Sequence, residues 1–219
     1  MSIFSIFAMK PAESGKVADT SIYAIRNQRN CLYLIKSSDG YIMIDAGSNV
    51  KKIKQKLAEF EIVPSDVKSI FLTHSDYDHT AGLTLFSDAR IYMSEDELQM
   101  INGMVRRSSL LGYNALPNRI KADSVGLLKN KQQLILGDRV IECVKAPGHT
   151  LGSMIYLLDG KYLFTGDAFS IINGTAKIHP FTMDSETAGI SIKDLYEVIK
   201  KSEIVITSHY GFYMSNDLK

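Results

Sequence analysis

Hydrophobic and polar positions divide this chain into many short strand-like stretches, with a helical period in only a few places. In the first quarter such stretches cover Ile3–Phe7, Ser21–Arg26, Cys31–Lys36 and Tyr41–Asp45, with Ser38-Asp39-Gly40 as the hairpin turn between the last two. The period then changes. From about Asn49 to Phe60, Ile53, Leu57 and Phe60 share one face and lysines the other, which predicts an amphipathic helix. Pro64-Ser65-Asp66 breaks the chain before a short buried strand, Ser69–Thr73. A short helix near Thr80–Phe86, a strand Arg90–Met93 and a helix from Ser94 to about Met104 follow, with Ser94 and Glu97 spaced as a capping box. The segment Val105–Lys121 has no clean period and includes Arg106-Arg107, Gly112 and Pro117, which suits a lid or substrate-facing loop. Strands return at Gln133–Leu136, Val140–Lys145, Met154–Leu158, Lys161–Thr165 and Ile204–Thr207, with a helix from about Ser185 to Ser202.

Strands, then helices, then strands, then a helix predict an α+β protein with two mostly antiparallel sheets face to face and helices outside. No repeat, low-complexity tract or linker divides the chain, so one domain over residues 1–219 is expected. Hydrophobic content of 45% and charged content of 22% are those of a globular protein. A net charge of +1 gives no sign of a nucleic-acid or membrane partner, and leaves oligomeric state open. Cys31 and Cys143 each lie inside an apolar run and read as buried thiols. The apolar start, Met1 to Met9, lacks the basic residues and cleavage pattern of a signal peptide. No stretch approaches the roughly 20 apolar residues that span a bilayer. A cytoplasmic protein is expected.

The candidate chemistry sits where strand-like stretches end. Leu72-Thr73-His74-Ser75-Asp76-Tyr77-Asp78-His79 packs two imidazoles and two carboxylates into six residues. His149 follows in Pro147-Gly148-His149, Asp167 in Thr165-Gly166-Asp167, and His209 in Thr207-Ser208-His209. Taken singly, each fragment is ordinary. Together they place seven nitrogen and oxygen ligands at strand ends, where they can meet on one rim of a sheet and hold two divalent ions. In extended backbone His74, Asp76 and Asp78 would share a face, and His79 would point to a neighbouring site.

This ordered set resembles the metallo-β-lactamase superfamily, whose pattern is T-H-x-H-x-D-H, then Gly-His, Gly-Asp and a final His. The likeness runs from Asp45-Ala46-Gly47, similar to the family's early D-x-G turn, to His209. It implies a four-layer αβ/βα sandwich with two metal ions at one edge. By position, His74, Asp76 and His149 would serve the first ion, Asp78, His79 and His209 the second, and Asp167 would bridge. Asp76 departs from the pattern, which usually has histidine there. With the usual ligands, two divalent ions against two carboxylates and a bridging hydroxide leave about +1; Asp76 brings the sum to about zero. Weaker Lewis acidity is then expected. Zinc is the first choice of metal, with iron or manganese as alternatives.

The resemblance implies hydrolysis by a metal-bound hydroxide, with Asp78 ligating or orienting the nucleophile. Neither cysteine is needed as a nucleophile. Tyr77, Tyr210, His179, Arg106 and Arg107 are candidate substrate-lining residues, although packing is the commoner role for the tyrosines and an ordinary loop position for His179. The arginines could meet an anionic substrate or form a solvated pair. The ten residues after His209 argue against a helical C-terminal domain of the glyoxalase II type, and no secretion signal suggests a resistance β-lactamase. A small-molecule hydrolase of thioesters, or of lactones and esters, is the leading expectation. A di-iron redox protein or a non-catalytic metal-binding member of the same fold is the alternative.

Overall fold

The computed structural model describes residues 9–107 and 125–218. The first half of the chain forms β1 (Gly15–Lys16), β2 (Ile22–Asn27), β3 (Asn30–Ser37), β4 (Gly40–Ile44), α1 (Val50–Glu59), β5 (Val67–Phe71), α2 (Tyr77–Thr80), β6 (Arg90–Ser94), α3 (Glu95–Ile101) and β7 (Val125–Leu128). The second half forms β8 (Gln132–Leu136), β9 (Arg139–Lys145), β10 (Met154–Leu158), β11 (Tyr162–Gly166), β12 (Ser170–Ile172), β13 (Thr175–Lys177), α4 (Ser185–Asp194), α5 (Tyr196–Lys201), β14 (Ile204–Thr207) and β15 (Phe212–Met214).

Strands β1 to β7 make one sheet in chain order, antiparallel as far as β4 and parallel from β4 to β7. A second sheet runs β15-β14-β11-β10-β9-β8, with β11 and β14 its parallel pair. Alternation along the strands shows how the sheets stack. Tyr33, Ile35, Ile42 and Ile44 share a cluster with Met154, Tyr156, Phe164 and Ile206 of the other sheet. The intervening Leu32, Leu34 and Met43 pack instead with Ile53 and Leu57 of α1 and Leu98 and Ile101 of α3. On the far side, Ile155, Leu163 and Val205 meet Leu195 and Ile199. Both faces of both sheets are therefore covered, and the order is αβ/βα in four layers.

Several expected elements change. The helix of 185–202 is two helices meeting at Leu195. The first packs on the His149 loop, where Ser191 Oγ donates to the Pro147 carbonyl, and the second on the sheet through Ile199, so the axis turns to serve both. The helix near 80–86 is one α-turn, α2, followed by a 3-10 segment, Ala81–Leu85. At α3, Ser94 Oγ accepts from the Glu97 N–H at 3.2 Å, but the Glu97 side chain turns inward to Thr150, so only half of the capping box forms. Cys31 and Cys143 are free and buried, and burial pushes both thiols up to about 12. The strand expected at Ile3–Phe7 and most of the segment expected as a lid, 108–121, lie outside the described residues. Among the described residues, no helix is long and apolar enough to cross a membrane.

Candidate metal centre

Five strands deliver the site. Asp45 follows β4, His74 follows β5, His149 lies on the turn between β9 and β10, Asp167 follows β11 and His209 follows β14. The extended backbone expected through Asp78 ends at Asp76, which precedes the first turn of α2. That turn brings Asp78 and His79 round together, so one short segment still serves two neighbouring positions. Gly82, just beyond, stands so close to the Ala46 carbonyl that an added Cβ would lie 1.9 Å from its oxygen. The D-x-G turn thereby locks against α2, with Ala46 N–H donating to the His79 carbonyl at 2.7 Å.

Asp167 Oδ2 is the hub. It lies 3.1 Å from His209 Nε2, 3.7 Å from the Nε2 atoms of His79, His149 and His179, and 4.0 Å from that of His74. Asp76 Oδ2 is 3.3 Å from His149 Nε2 and 3.5 Å from His74 Nε2. Asp78 Oδ2 is 3.5 Å from His209 Nε2 and 3.7 Å from His79 Nε2. All seven residues expected from the motifs are thus brought to one place. They form groups whose ligand atoms lie within 4.8 Å of one another: His74, Asp76 and His149; His74, His79 and Asp167; Asp78, His79 and His209.

Neighbouring groups orient three of the imidazoles. His79 Nδ1–H donates to Asp45 Oδ2 at 2.8 Å, and His209 Nδ1–H donates to the Arg29 carbonyl at 2.7 Å. Thr73 Oγ1 donates to Asp45, which leaves it to accept from His74 Nδ1 at 3.0 Å. Each Nε2 lone pair therefore faces the centre. Buried with no hydrogen-bond partner, His74 Nε2, His79 Nε2 and Asp167 Oδ1 carry a cost that a bound cation removes. Unpartnered ligand atoms, fixed tautomers and a mixed imidazole and carboxylate set fit two divalent ions.

The electrostatics divide the ligands. Burial opposes charge on His79 and His209, yet Asp45 beside the first and Asp167 beside the second, each with Asp78, hold both imidazoles above their usual range. A bound cation would displace a proton from each. Burial opposes ionisation of Asp167, yet His179, His209 and His79 around it hold its carboxyl well below the usual range. Burial likewise opposes charge on Asp76, and Arg107, followed by His149 and His74, outweighs it. Burial lowers His149 to about 4, which keeps a neutral ring with a lone pair to offer.

Arg107 corrects one expectation. It is 5% exposed and forks onto Asp76, Nε to Oδ1 at 2.7 Å and Nη2 to Oδ2 at 2.9 Å, while also donating to the carbonyls of His149 and Phe181. It is a buried partner of Asp76, not a free substrate-binding cation. Arg107 offsets the carboxylate that Asp76 adds, so the charge sum returns to about +1 and the expected weakening of Lewis acidity no longer follows. Asp76→Ala strands this guanidinium, and a loss of about 3 kcal/mol in urea unfolding is expected. Arg107→Met in the same chain should recover most of it; no recovery would contradict the pairing.

Among the other candidates, Arg106 is exposed, and Tyr77 opens α2 at 49% exposure on the rim. Tyr210 is buried, its ring 6.3 Å from that of His179. His179 lies on a loop, as expected, but it is 3% exposed and sits inside the centre. Two contributors were not read from the sequence as part of the site. Asp45 was visible only as part of the D-x-G turn. Buried Glu97, marked in the sequence only by its capping-box spacing, accepts from Thr150 Oγ1 and from Gly152 N–H, and so pins the loop carrying His149.

The sequence profile of the metallo-β-lactamase superfamily matches residues 25–209. The chain belongs to that superfamily. It is 28% identical over 189 residues to a probable polyketide biosynthesis zinc-dependent hydrolase, PksB, of Bacillus subtilis (strain 168), covering 84% of this chain and 71% of that protein. It is 25% identical over 245 residues to the acyl-coenzyme A thioesterase MBLAC2 of Gallus gallus, covering 97% and 84%. Among solved structures it resembles MEM-A1, a subclass B3 metallo-β-lactamase from a soil metagenome library, with a TM-score of 0.70 and 22% identity over 91% of this chain and 80% of that one. That last likeness shows the fold alone. Membership and the named relatives together support divalent-metal binding and a metal-dependent hydrolase.

Proposed function

We propose that the protein is a binuclear metal-dependent hydrolase acting on a small thioester. The observation that carries this is the convergence of Asp167, Asp76 and Asp78 with the histidines on one strand-end rim, their ligand atoms close together and several unpartnered. Zinc is the preferred metal. When bound, the ions would activate water at neutral pH and polarise the substrate carbonyl.

The chain's own residues do the rest. Asp78, its side chain 41% exposed, is the carboxylate open to solvent, and is the group to orient an entering water and take its proton. Asp167, 4% exposed, holds its charge at the middle of the centre, where surrounding low-dielectric protein strengthens its pull. Asp45, Thr73 and the Arg29 carbonyl keep the imidazoles from turning, so little reorganisation is needed as charge develops. A thiolate can leave without being protonated, whereas an alkoxide needs the proton that Asp78 takes from water returned to it. The simpler departure, and the acyl-coenzyme A thioesterase among the relatives, favour thioester over lactone or ester. With Asp76 paired to Arg107, nothing specific favours the di-iron redox alternative.

The test is cleavage of acyl-coenzyme A and acylglutathione thioesters before and after stripping with a chelator. Thioester cleavage should fall to background and return with added divalent ion, zinc foremost. Undiminished cleavage by metal-free protein would overturn the metal mechanism, and cleavage of lactones or esters alone would overturn the substrate class.

A further inference from the structure

His179 lies on the turn after β13, which the His149 loop ties down. Met183 N–H donates to the His149 carbonyl at 3.1 Å, Asp184 N–H to the Gly148 carbonyl at 3.0 Å, and Arg107 to the Phe181 carbonyl at 2.9 Å. These bonds aim the imidazole inward. Its ring centroid is 5.1 Å from that of His149 and 5.3 Å from that of His209. At 3% exposure, neither Nδ1 nor Nε2 has a hydrogen-bond partner. A buried imidazole with both nitrogens unsatisfied is costly, and a packing role would be served better by an apolar ring.

We propose that His179 is itself a metal ligand, sharing the first ion with His149 and Asp167. Three observations carry this. The ligand atoms of His149, Asp167 and His179 all lie within 4.8 Å of one another. His179 Nε2 stands 3.7 Å from Asp167 Oδ2, the same distance as the motif residues His79 and His149. Ligands about 2.0–2.2 Å from one ion are separated by roughly 3.3 Å at tetrahedral angles and at most about 4.2–4.4 Å across it, so this spacing fits a shared ion. Third, both oxygens of Asp76 already accept from Arg107, which draws electron density away from the position where the family pattern has an imidazole. His179 restores a nitrogen ligand from a different part of the chain. The Asp76 and Arg107 pair and His179 are then two halves of one exchange.

This rests on the metal-centre reading above, so the test is binding, not turnover. His179→Ala, and His179→Phe to keep the ring's volume, are titrated with zinc against a competing chelator, and the cobalt(II) forms are compared by visible absorption. The metal-free variants should melt close to the parent protein. The weaker-binding ion should be lost or held about 100-fold less tightly, the cobalt band should shift, and free imidazole should partly restore it in the alanine variant. Two ions in the parent with the same affinity and cobalt spectrum in both variants would overturn the role of His179 and leave the hydrolase reading standing. A parent that binds no metal would overturn both.

Discussion

Asp167→Ala is expected to lower thioester turnover by at least about 10³-fold, the scale on which a principal electrostatic element of an active site is lost. The reason is position. Its Oδ2 faces five imidazole nitrogens at 3.1–4.0 Å and, among the described residues, is the one carboxylate oxygen common to both halves of the centre. Removing it takes away the ligand the two ions would share and leaves the imidazoles crowded without a counter-charge. Truncation also breaks these buried contacts, so some loss of metal-free stability is expected beside the loss of activity. His79→Ala should lose activity on the same scale, because its Nε2 borders both Asp78 and Asp167. Steady-state kinetics with metal content measured on the same samples checks this. Full activity in either variant would sink the two-metal mechanism.

Asp45→Ala should be the most destabilising single change near the site, by about 4 kcal/mol. Asp45 is 1% exposed and accepts from the Thr73 N–H at 2.8 Å, from Thr73 Oγ1, and from His79 Nδ1 at 2.8 Å. Truncation leaves these donors buried and unpaired, at about 1–3 kcal/mol each before relaxation. Asp45 also sits at φ +58°, a left-handed conformation that aspartate and asparagine tolerate better than alanine. Asp45→Asn separates the two roles. It keeps the turn and an oxygen for Thr73, but presents an amide N–H or a neutral oxygen to His79. The stability loss should be smaller than for alanine, while metal affinity falls about 10–100-fold, as when an imidazole's outer partner is removed. Urea unfolding and chelator titration give both numbers. Unchanged metal affinity in Asp45→Asn would show that His79 needs no such partner.

The sandwich was legible in the sequence because most of its strands are long enough to show their alternation. In Cys31–Lys36, successive residues go to the inter-sheet core and to the helix-facing core, and nearly all are apolar. Short elements were not legible this way. Strands β12 and β13 have three residues each, though Asn173-Gly174 between them, both at positive φ, is the turn signal that could have found them. The break at Leu195 was hidden because apolar residues continue through it while their packing partners change.

The site divides in the same manner. The motif residues could be read from order and spacing. Arg107 and His179 could not, since what defines each is a partner far away in the chain: Asp76 for Arg107, and His149 with Asp167 for His179. Even the departure at Asp76 was readable only as a change of charge, and its compensation by Arg107 needed three dimensions.

Elemental analysis of the protein purified without added metal or chelator decides whether the centre holds two ions. About two equivalents of divalent metal per chain are expected, zinc foremost. One equivalent or fewer, unchanged after incubation with zinc and removal of excess, would rule out a two-ion centre.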